Sequence, residues 1–190
     1  MNKVKVLIEG YAKQIENGWI ASSTVTLVQA DGKNIIVDPG CNRQKLLEEL
    51  EKSNLKTTDI DFVVLTHSHT DHALLCGIFE NAKVLNSSEI YTNDEQIEHE
   101  GKIKDTSLKI IETPGHSEDG ISLIVKADDG TYAIVGDVFW WKTDEKQTID
   151  IEKPDPYVQD MTKIVESRKK VLEIADFIIP GHGKTFNVSK

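Results

Sequence analysis

The chain's fold is decided by Val63-Val64-Leu65-Thr66-His67-Ser68-His69-Thr70-Asp71-His72. The apolar run from Phe62 to Leu65 predicts a short buried strand. It ends in four potential metal ligands, His67, His69, Asp71 and His72. His67 and His69 are two apart, so in extended backbone they point to one side. His72 lies where the chain is expected to turn into a helix. A polar turn at a strand end would account for one histidine, but not for three with an aspartate. Imidazole and carboxylate together suit zinc, with iron or manganese as alternatives.

Elsewhere the same grammar repeats. Leu108 to Ile111 predicts a strand, closed by Thr113-Pro114-Gly115-His116. Asp128-Asp129-Gly130-Thr131 is a hairpin signal. The strand that follows it, Tyr132 to Val135, is expected to end at Gly136-Asp137. Phe177 to Ile179 predicts a last strand, closed by Pro180-Gly181-His182-Gly183. Five of the six histidines and two aspartates thus fall at strand ends. Seven ligands exceed the needs of one tetrahedral ion and fit two. His99, between Glu98 and Glu100, reads as a solvated surface residue.

The remaining elements are ordinary. Strands are expected over Val4 to Ile8, Thr24 to Gln29, Asn34 to Val37 and Lys83 to Leu85. Gln14 to Trp19 reads as a surface loop, with a reach over a site as the alternative. Leu46, Leu47 and Leu50 have helical spacing within Asn42 to Lys52. Ala73 to Phe79 predicts a short apolar helix. Tyr91 to Asp105 reads as a polar loop or short helix, and Trp140 to Pro154 as a long irregular segment. Asp155-Pro156 predicts a helix start, with an apolar face running from Val158 to Ala175. Arg168, Lys169 and Lys170 read as that helix's outer, C-terminal part.

Composition narrows the class. The 190 residues suit a single domain spanning 1–190. Hydrophobic content of 38% and charged content of 28% predict a globular protein. The first ten residues lack the continuous apolar core of a signal peptide, and no stretch reaches the length of a membrane span. Cys41 and Cys76 make neither a disulfide framework nor a CxxC pair, so a cytoplasmic setting is expected. Cys76 reads as core. A net charge of −10 disfavours nucleic acid and anionic membranes as partners.

With these motifs in order, the chain resembles the metallo-β-lactamase superfamily. The likeness runs from Asn34-Ile35-Ile36-Val37-Asp38-Pro39-Gly40 to Pro180-Gly181-His182-Gly183, and His-x-His-x-Asp-His is its most specific motif. The resemblance implies an α/β fold, a four-layer αββα sandwich of two mixed sheets flanked by helices. It implies two zinc ions, with iron or manganese possible. His67, His69 and His116 would hold the first. Asp71, His72 and His182 would hold the second, and Asp137 would bridge them. Asp38 would brace the metal loops by hydrogen bonds rather than bind metal.

The chain departs from the family pattern in three places. Asp137 stands where class B β-lactamases supply a cysteine, which argues against antibiotic hydrolysis. Leu74 replaces a common glycine and is expected to crowd the backbone near the second metal. With only a few residues of sequence after His182, the C-terminal helical domain that gives glyoxalase II its glutathione site is not expected. The resemblance implies a dinuclear metal-dependent hydrolase whose metal-bridging hydroxide attacks a small ester, thioester or lactone. Asp71 would orient that hydroxide or take its proton. Trp140 and Trp141 are candidates for a pocket wall or for core packing. The alternatives are a metal-dependent nuclease acting on RNA or DNA, a mononuclear iron persulfide dioxygenase, and a metal-stabilised binding protein. A small-molecule substrate is favoured over nucleic acid because 32 acidic residues oppose 22 basic ones.

Overall fold

A computed structural model describes residues 1–154 and 156–188. In chain order it opens with β1 (Lys3–Ile8), β2 (Tyr11–Ile15), β3 (Gly18–Ser22), β4 (Val25–Ala30) and β5 (Lys33–Val37). Helix α1 (Arg43–Lys52), β6 (Phe62–Val64) and the single turn α2 (Thr70–Ala73) follow. Next come β7 (Lys83–Leu85), β8 (Glu89–Thr92), β9 (Glu95–Glu98), β10 (Lys109–Glu112), β11 (Ile121–Ala127) and β12 (Gly130–Trp140). The chain closes with α3 (Met161–Ile174), β13 (Phe177–His182) and β14 (Phe186–Asn187).

The strands form a seven-stranded sheet, β1-β4-β5-β6-β7-β8-β9, and a five-stranded sheet, β10-β11-β12-β13-β14. Both are mixed, with parallel pairs β5–β6, β6–β7 and β12–β13. Alternation along each strand divides the apolar residues between two layers. Ile35 and Val37 join Val64, Leu123, Val125 and Ile134 in the core between the sheets. Ile36 and Val63 point the other way, onto Leu46 and Leu50 of α1. Ala133, Val135 and Ile178 pack outward against Ile164 and Val171 of α3. The result is the expected αββα order. No helix among the described residues is long and apolar enough to cross a membrane.

Several local expectations need correction. Gln14 to Trp19 is the end of the β2–β3 hairpin, a separate two-stranded ribbon. Tyr91 to Asp105 is not a plain loop. Its first part pairs as the β8–β9 hairpin, whose turn uses Asn93 at φ 56°. Asparagine tolerates that left-handed geometry better than most residues. The helix expected over Ala73 to Phe79 instead begins at Thr70, ends at Ala73, and gives way to a 3-10 turn at Cys76–Ile78. Cys76 is half-buried against the outer core of the larger sheet rather than fully inside it. His99 is not a free surface residue. Its Nε2 lies 2.9 Å from Asn86 O, and its Nδ1 accepts from Gly101 N.

The last helix starts later than Asp155-Pro156 predicts, and Asp155 lies outside the described residues. Its cap is Asp160, whose side chain accepts from Thr162 N and Lys163 N. Arg168 is the largest correction. It is 2% exposed, not an outer cation. Its Nε donates to Val138 O at 2.8 Å, and its Nη1 to Ile151 O at 3.0 Å and Lys153 O at 2.6 Å. One guanidinium thus ties α3 to the end of β12 and to the irregular segment after it. Arg168→Met removes these donors from the buried Val138 carbonyl and from the part-buried carbonyls of Ile151 and Lys153. The variant should lose about 3 kcal/mol of folding stability, measured by denaturant unfolding. A loss under ~1 kcal/mol would mean that water replaces the side chain at no cost.

Candidate metal centre

The centre lies where strands of both sheets end. After β6, Thr66 opens the His67 to His72 segment, and Ile121 N donates to Thr66 O at 2.8 Å, joining the segment to the second sheet. Asp38 follows β5 with φ 49°. Its Oδ1 accepts from Thr66 N at 2.7 Å. Its Oδ2 accepts from Thr66 Oγ1 at 2.6 Å and lies 2.8 Å from His72 Nδ1. Thr66 Oγ1 in turn sits 3.1 Å from His67 Nδ1. His182 Nδ1 lies 3.1 Å from Tyr11 O. In His67, His72 and His182, therefore, one ring nitrogen is engaged and Nε2 is left facing inward. Fixing the far nitrogen in this way orients an imidazole for metal binding.

All seven sequence-predicted residues come together. They form two groups, His67, His69, His116 with Asp137, and Asp71, His72 with His182. His69 Nδ1 lies 2.9 Å from His67 Nε2 and 3.1 Å from His116 Nε2. Donors around one tetrahedral ion at 2.0–2.1 Å stand about 3.3 Å apart, so this spacing suits a shared ion. Asp137 lies between the groups. Its Oδ2 is 3.4 Å from His116 Nε2, and its Oδ1 is 3.3 Å from His72 Nε2. Asp71 Oδ2 is 3.1 Å from His182 Nε2. His72 Nε2 and Asp137 Oδ1 are buried, and apart from their 3.3 Å approach to one another neither has a hydrogen-bond partner. Such orphaned donors and acceptors call for a further ligand, and nitrogen and carboxylate oxygen suit zinc.

Two glycines make the approach possible. A Cβ at Gly181 would stand 2.1 Å from Asp137 Oδ1, and one at Gly136 would stand 2.3 Å from Thr66 Oγ1. Strand β12 does not end at Asp137 as expected but runs to Trp140. Gly136 pairs with Pro180 and Trp140 with His182, so four steps of β12 oppose two of β13. This bulge re-aims Asp137 out of the ladder.

Burial and charge compete strongly here. Burial disfavours a charged His72, but Asp137 and Asp38 more than offset it and hold its pKa well above the usual imidazole value. Burial would raise the Asp137 carboxyl, but His182, His72 and His116 hold it well below the usual range. His67 moves down, through burial and then His72. The pocket thus places ionised carboxylate among crowded imidazoles, an arrangement that favours a cation.

A cavity of about 520 Å³ opens over the centre. Trp140 lines it, whereas Trp141 turns into the core and stacks on Phe139 at 5.9 Å. The two tryptophans therefore split the expected roles. Leu74 has ordinary helical backbone and is 59% exposed at the cavity, so it shapes the rim without straining the turn. Cys41 lines the cavity too, with Sγ donating to Ala21 O. Trp19, Ala12 and Ala21 of the β2–β3 hairpin and Tyr157 also line it. The alternative reading of Gln14 to Trp19, a reach over a site, thus holds at Trp19, while sequence reasoning missed Ala12, Ala21 and Tyr157; for Ala21, its alternation with Trp19 around Ile20 was the available signal.

A family model described as the metallo-beta-lactamase superfamily matches residues 19–182. The chain belongs to the metallo-β-lactamase superfamily. It is 31% identical over 200 residues to metallo-beta-lactamase domain-containing protein 1 of Xenopus laevis, covering 100% of this chain and 83% of that one. Gly136 to Phe139, Ser167 to Leu172 and Gly181-His182-Gly183 are the stretches that resemble this superfamily member and its microbial relatives. A probable metallo-hydrolase of Methanocaldococcus jannaschii is 36% identical over 183 residues, covering 94% of this chain and 86% of that one. A crystal structure of a putative metallo-beta-lactamase from Thermotoga maritima matches with a TM-score of 0.74 at 21% identity, over 98% and 99% of the two chains.

Asp38 provides the first test of the superfamily centre. In Asp38→Asn one acceptor oxygen becomes a donor NH2, so the side chain cannot accept from Thr66 N on one side and from Thr66 Oγ1 and His72 Nδ1 on the other. Zinc affinity of the site carrying His72 should fall ten- to a hundredfold, on the order expected for an outer partner, as read by competition with a chelator. Unchanged affinity would show that Asp38 serves only the backbone turn.

Proposed function

We propose that this single domain, 1–190, is a metal-dependent hydrolase with a dinuclear centre, most simply two zinc ions, with iron or manganese as alternatives. His67, His69 and His116 would hold one ion, Asp71, His72 and His182 would hold the other, and Asp137 would be available to both. The observation that carries this reading is the Asp137 carboxylate, which lies between the two groups, with Oδ2 3.4 Å from His116 Nε2 and 3.7 Å from His182 Nε2 and Oδ1 3.3 Å from His72 Nε2. When bound, such ions supply Lewis acidity and a nucleophilic water at neutral pH. The substrate is a small ester, thioester or lactone.

The chain's own residues do the rest. Asp71 is half-buried at the cavity, and burial would raise its pKa, but hydrogen bonding to His182 and the charge of His72 lower it below the usual value. It is therefore ionised at neutral pH and can orient the attacking water or accept its proton. Asp38, Thr66 and Tyr11 O keep the imidazoles pointed inward. Trp140 shields one side from solvent at 5% exposure. Free Cys41 and Cys76 support a reducing, cytoplasmic setting.

Metal analysis and a substrate panel test the reading together. Protein prepared with ample zinc should hold two equivalents and turn over a carbonyl substrate. His182→Ala should lose the second equivalent while keeping the first. Its kcat/KM should fall on the order of a hundredfold or more, at least the cost of losing an outer partner. One iron with negligible zinc would point to the dioxygenase reading. Metal-dependent cleavage of single-stranded RNA or DNA at low salt, without any carbonyl turnover, would point to the nuclease.

A further inference from the structure

Beyond the metal-facing residues, the cavity has a built wall. Trp19 lies on the β2–β3 hairpin, Trp140 at the end of β12, and Tyr157 just before α3. Their rings meet edge to face, at 5.8 Å for Trp19–Trp140, 6.3 Å for Trp19–Tyr157 and 6.0 Å for Trp140–Tyr157. The wall continues to the candidate ligands, with Trp140 6.1 Å from His182 and Tyr157 6.3 Å from His116. A group projecting from a carbonyl held at the centre would therefore meet these rings first. Rings packed only for stability would be covered; Trp140 is, at 5% exposure, but Tyr157 is 42% exposed and Trp19 is half-buried beside the opening. The flanking residues Ala12, Ala21 and Leu74 are apolar, two of them small enough to leave room.

The charges decide what kind of group fits. Among the described residues no lysine or arginine lines this cavity, and its carboxylates are Asp71 and Asp137. An anionic tail would face Asp71, and the ammonium at the Trp19 ring, Lys142 Nζ, lies outside the cavity lining. A cationic tail fares no better, because Lys142 Nζ already lies 5.8 Å from the Trp19 ring centre, with Gln14 Oε1 at 3.5 Å. A second cation at that ring would meet like charge. An uncharged apolar group meets neither obstacle.

We infer that the substrate carries an uncharged apolar acyl chain or ring that packs against Trp19, Trp140 and Tyr157. The identity of the reacting bond rests on the hydrolase reading, whereas the wall is a binding feature that can be tested alone. Each methylene buried on it should tighten binding about fourfold. Trp19 and Tyr157 are then specificity residues, expected to act on KM rather than on kcat.

The test uses the full chain loaded with zinc and two amides of equal length. Hexanamide is the neutral probe, and the monoamide of adipic acid is its carboxylate-ended counterpart. The three indole N–H signals are followed by NMR, with core-packed Trp141 as internal control. Hexanamide should shift Trp19 and Trp140 saturably and leave Trp141 still, and the carboxylate should bind at least tenfold more weakly. Trp19→Ala and Tyr157→Ala should each weaken hexanamide about tenfold with metal content unchanged. In parallel, the ratio of hexanoyl to acetyl thioester turnover should collapse in both variants through KM. No shift at Trp19 and Trp140, equal or tighter binding of the carboxylate, or variants that bind hexanamide as well as wild type would each overturn the inference. Hexanamide binding at the wall with no turnover of any acyl substrate would uphold the wall and sink the hydrolase reading instead.

Discussion

The Asp38 carboxylate is the point on which the centre's geometry depends. It sits in left-handed backbone at the end of β5, and its two oxygens take three partners: Thr66 N, Thr66 Oγ1 and His72 Nδ1. It thereby fixes the turn after β6 and the orientation of His72 at once. Thr66 extends the brace to His67, and Ile121 N on Thr66 O carries it to the second sheet. A buried carboxylate is costly unless its oxygens are filled. Here they are filled by the very groups that must be held still.

The two sheets supply the rest of the precision. β6 and β12 each pair with parallel neighbours, so successive strand ends fall on one edge of the sandwich. The histidine segment, Asp137 and His182 all leave from that edge. Close approach is then limited by backbone bulk, and Gly136 and Gly181 remove the methyl groups that would block it. Arg168 does the corresponding job from behind, holding Val138 O one residue beyond Asp137. Rigid strands position the polar groups, while the hairpin and the irregular segment after Trp140 shape the space above them.

The metal-facing residues were legible in the sequence because their chemistry has few other uses. Three histidines and an aspartate at a strand end, with Pro-Gly-His twice more, leave little room for a bland account. The layer order also followed, since Ile35, Ile36 and Val37 alternate between the inner core and the layer under α1. The aromatic wall was legible only in part, through Trp140 as a pocket-wall candidate and Gln14 to Trp19 as a reach over a site, and not as one surface that includes Tyr157. Trp19, Trp140 and Tyr157 come from three distant parts of the chain, and no local pattern marks their meeting. Arg168 misled for a related reason. Beside Lys169 and Lys170 it has the composition of an outer helix face, and only its contacts with β12 and the following segment show it turned inward. The Tyr91 to Asp105 stretch was misread because its strands are polar and short, with almost no alternation to detect.

The account stands or falls on whether Asp137 joins two ions rather than completing one site. X-ray absorption at the zinc edge, on protein carrying its full complement of metal, addresses this most directly. Two ions sharing the carboxylate should give a metal–metal scattering feature at about 3.5–4 Å beside a shell of nitrogen and oxygen neighbours. A nitrogen and oxygen shell alone, with no metal–metal feature at any loading, would contradict it.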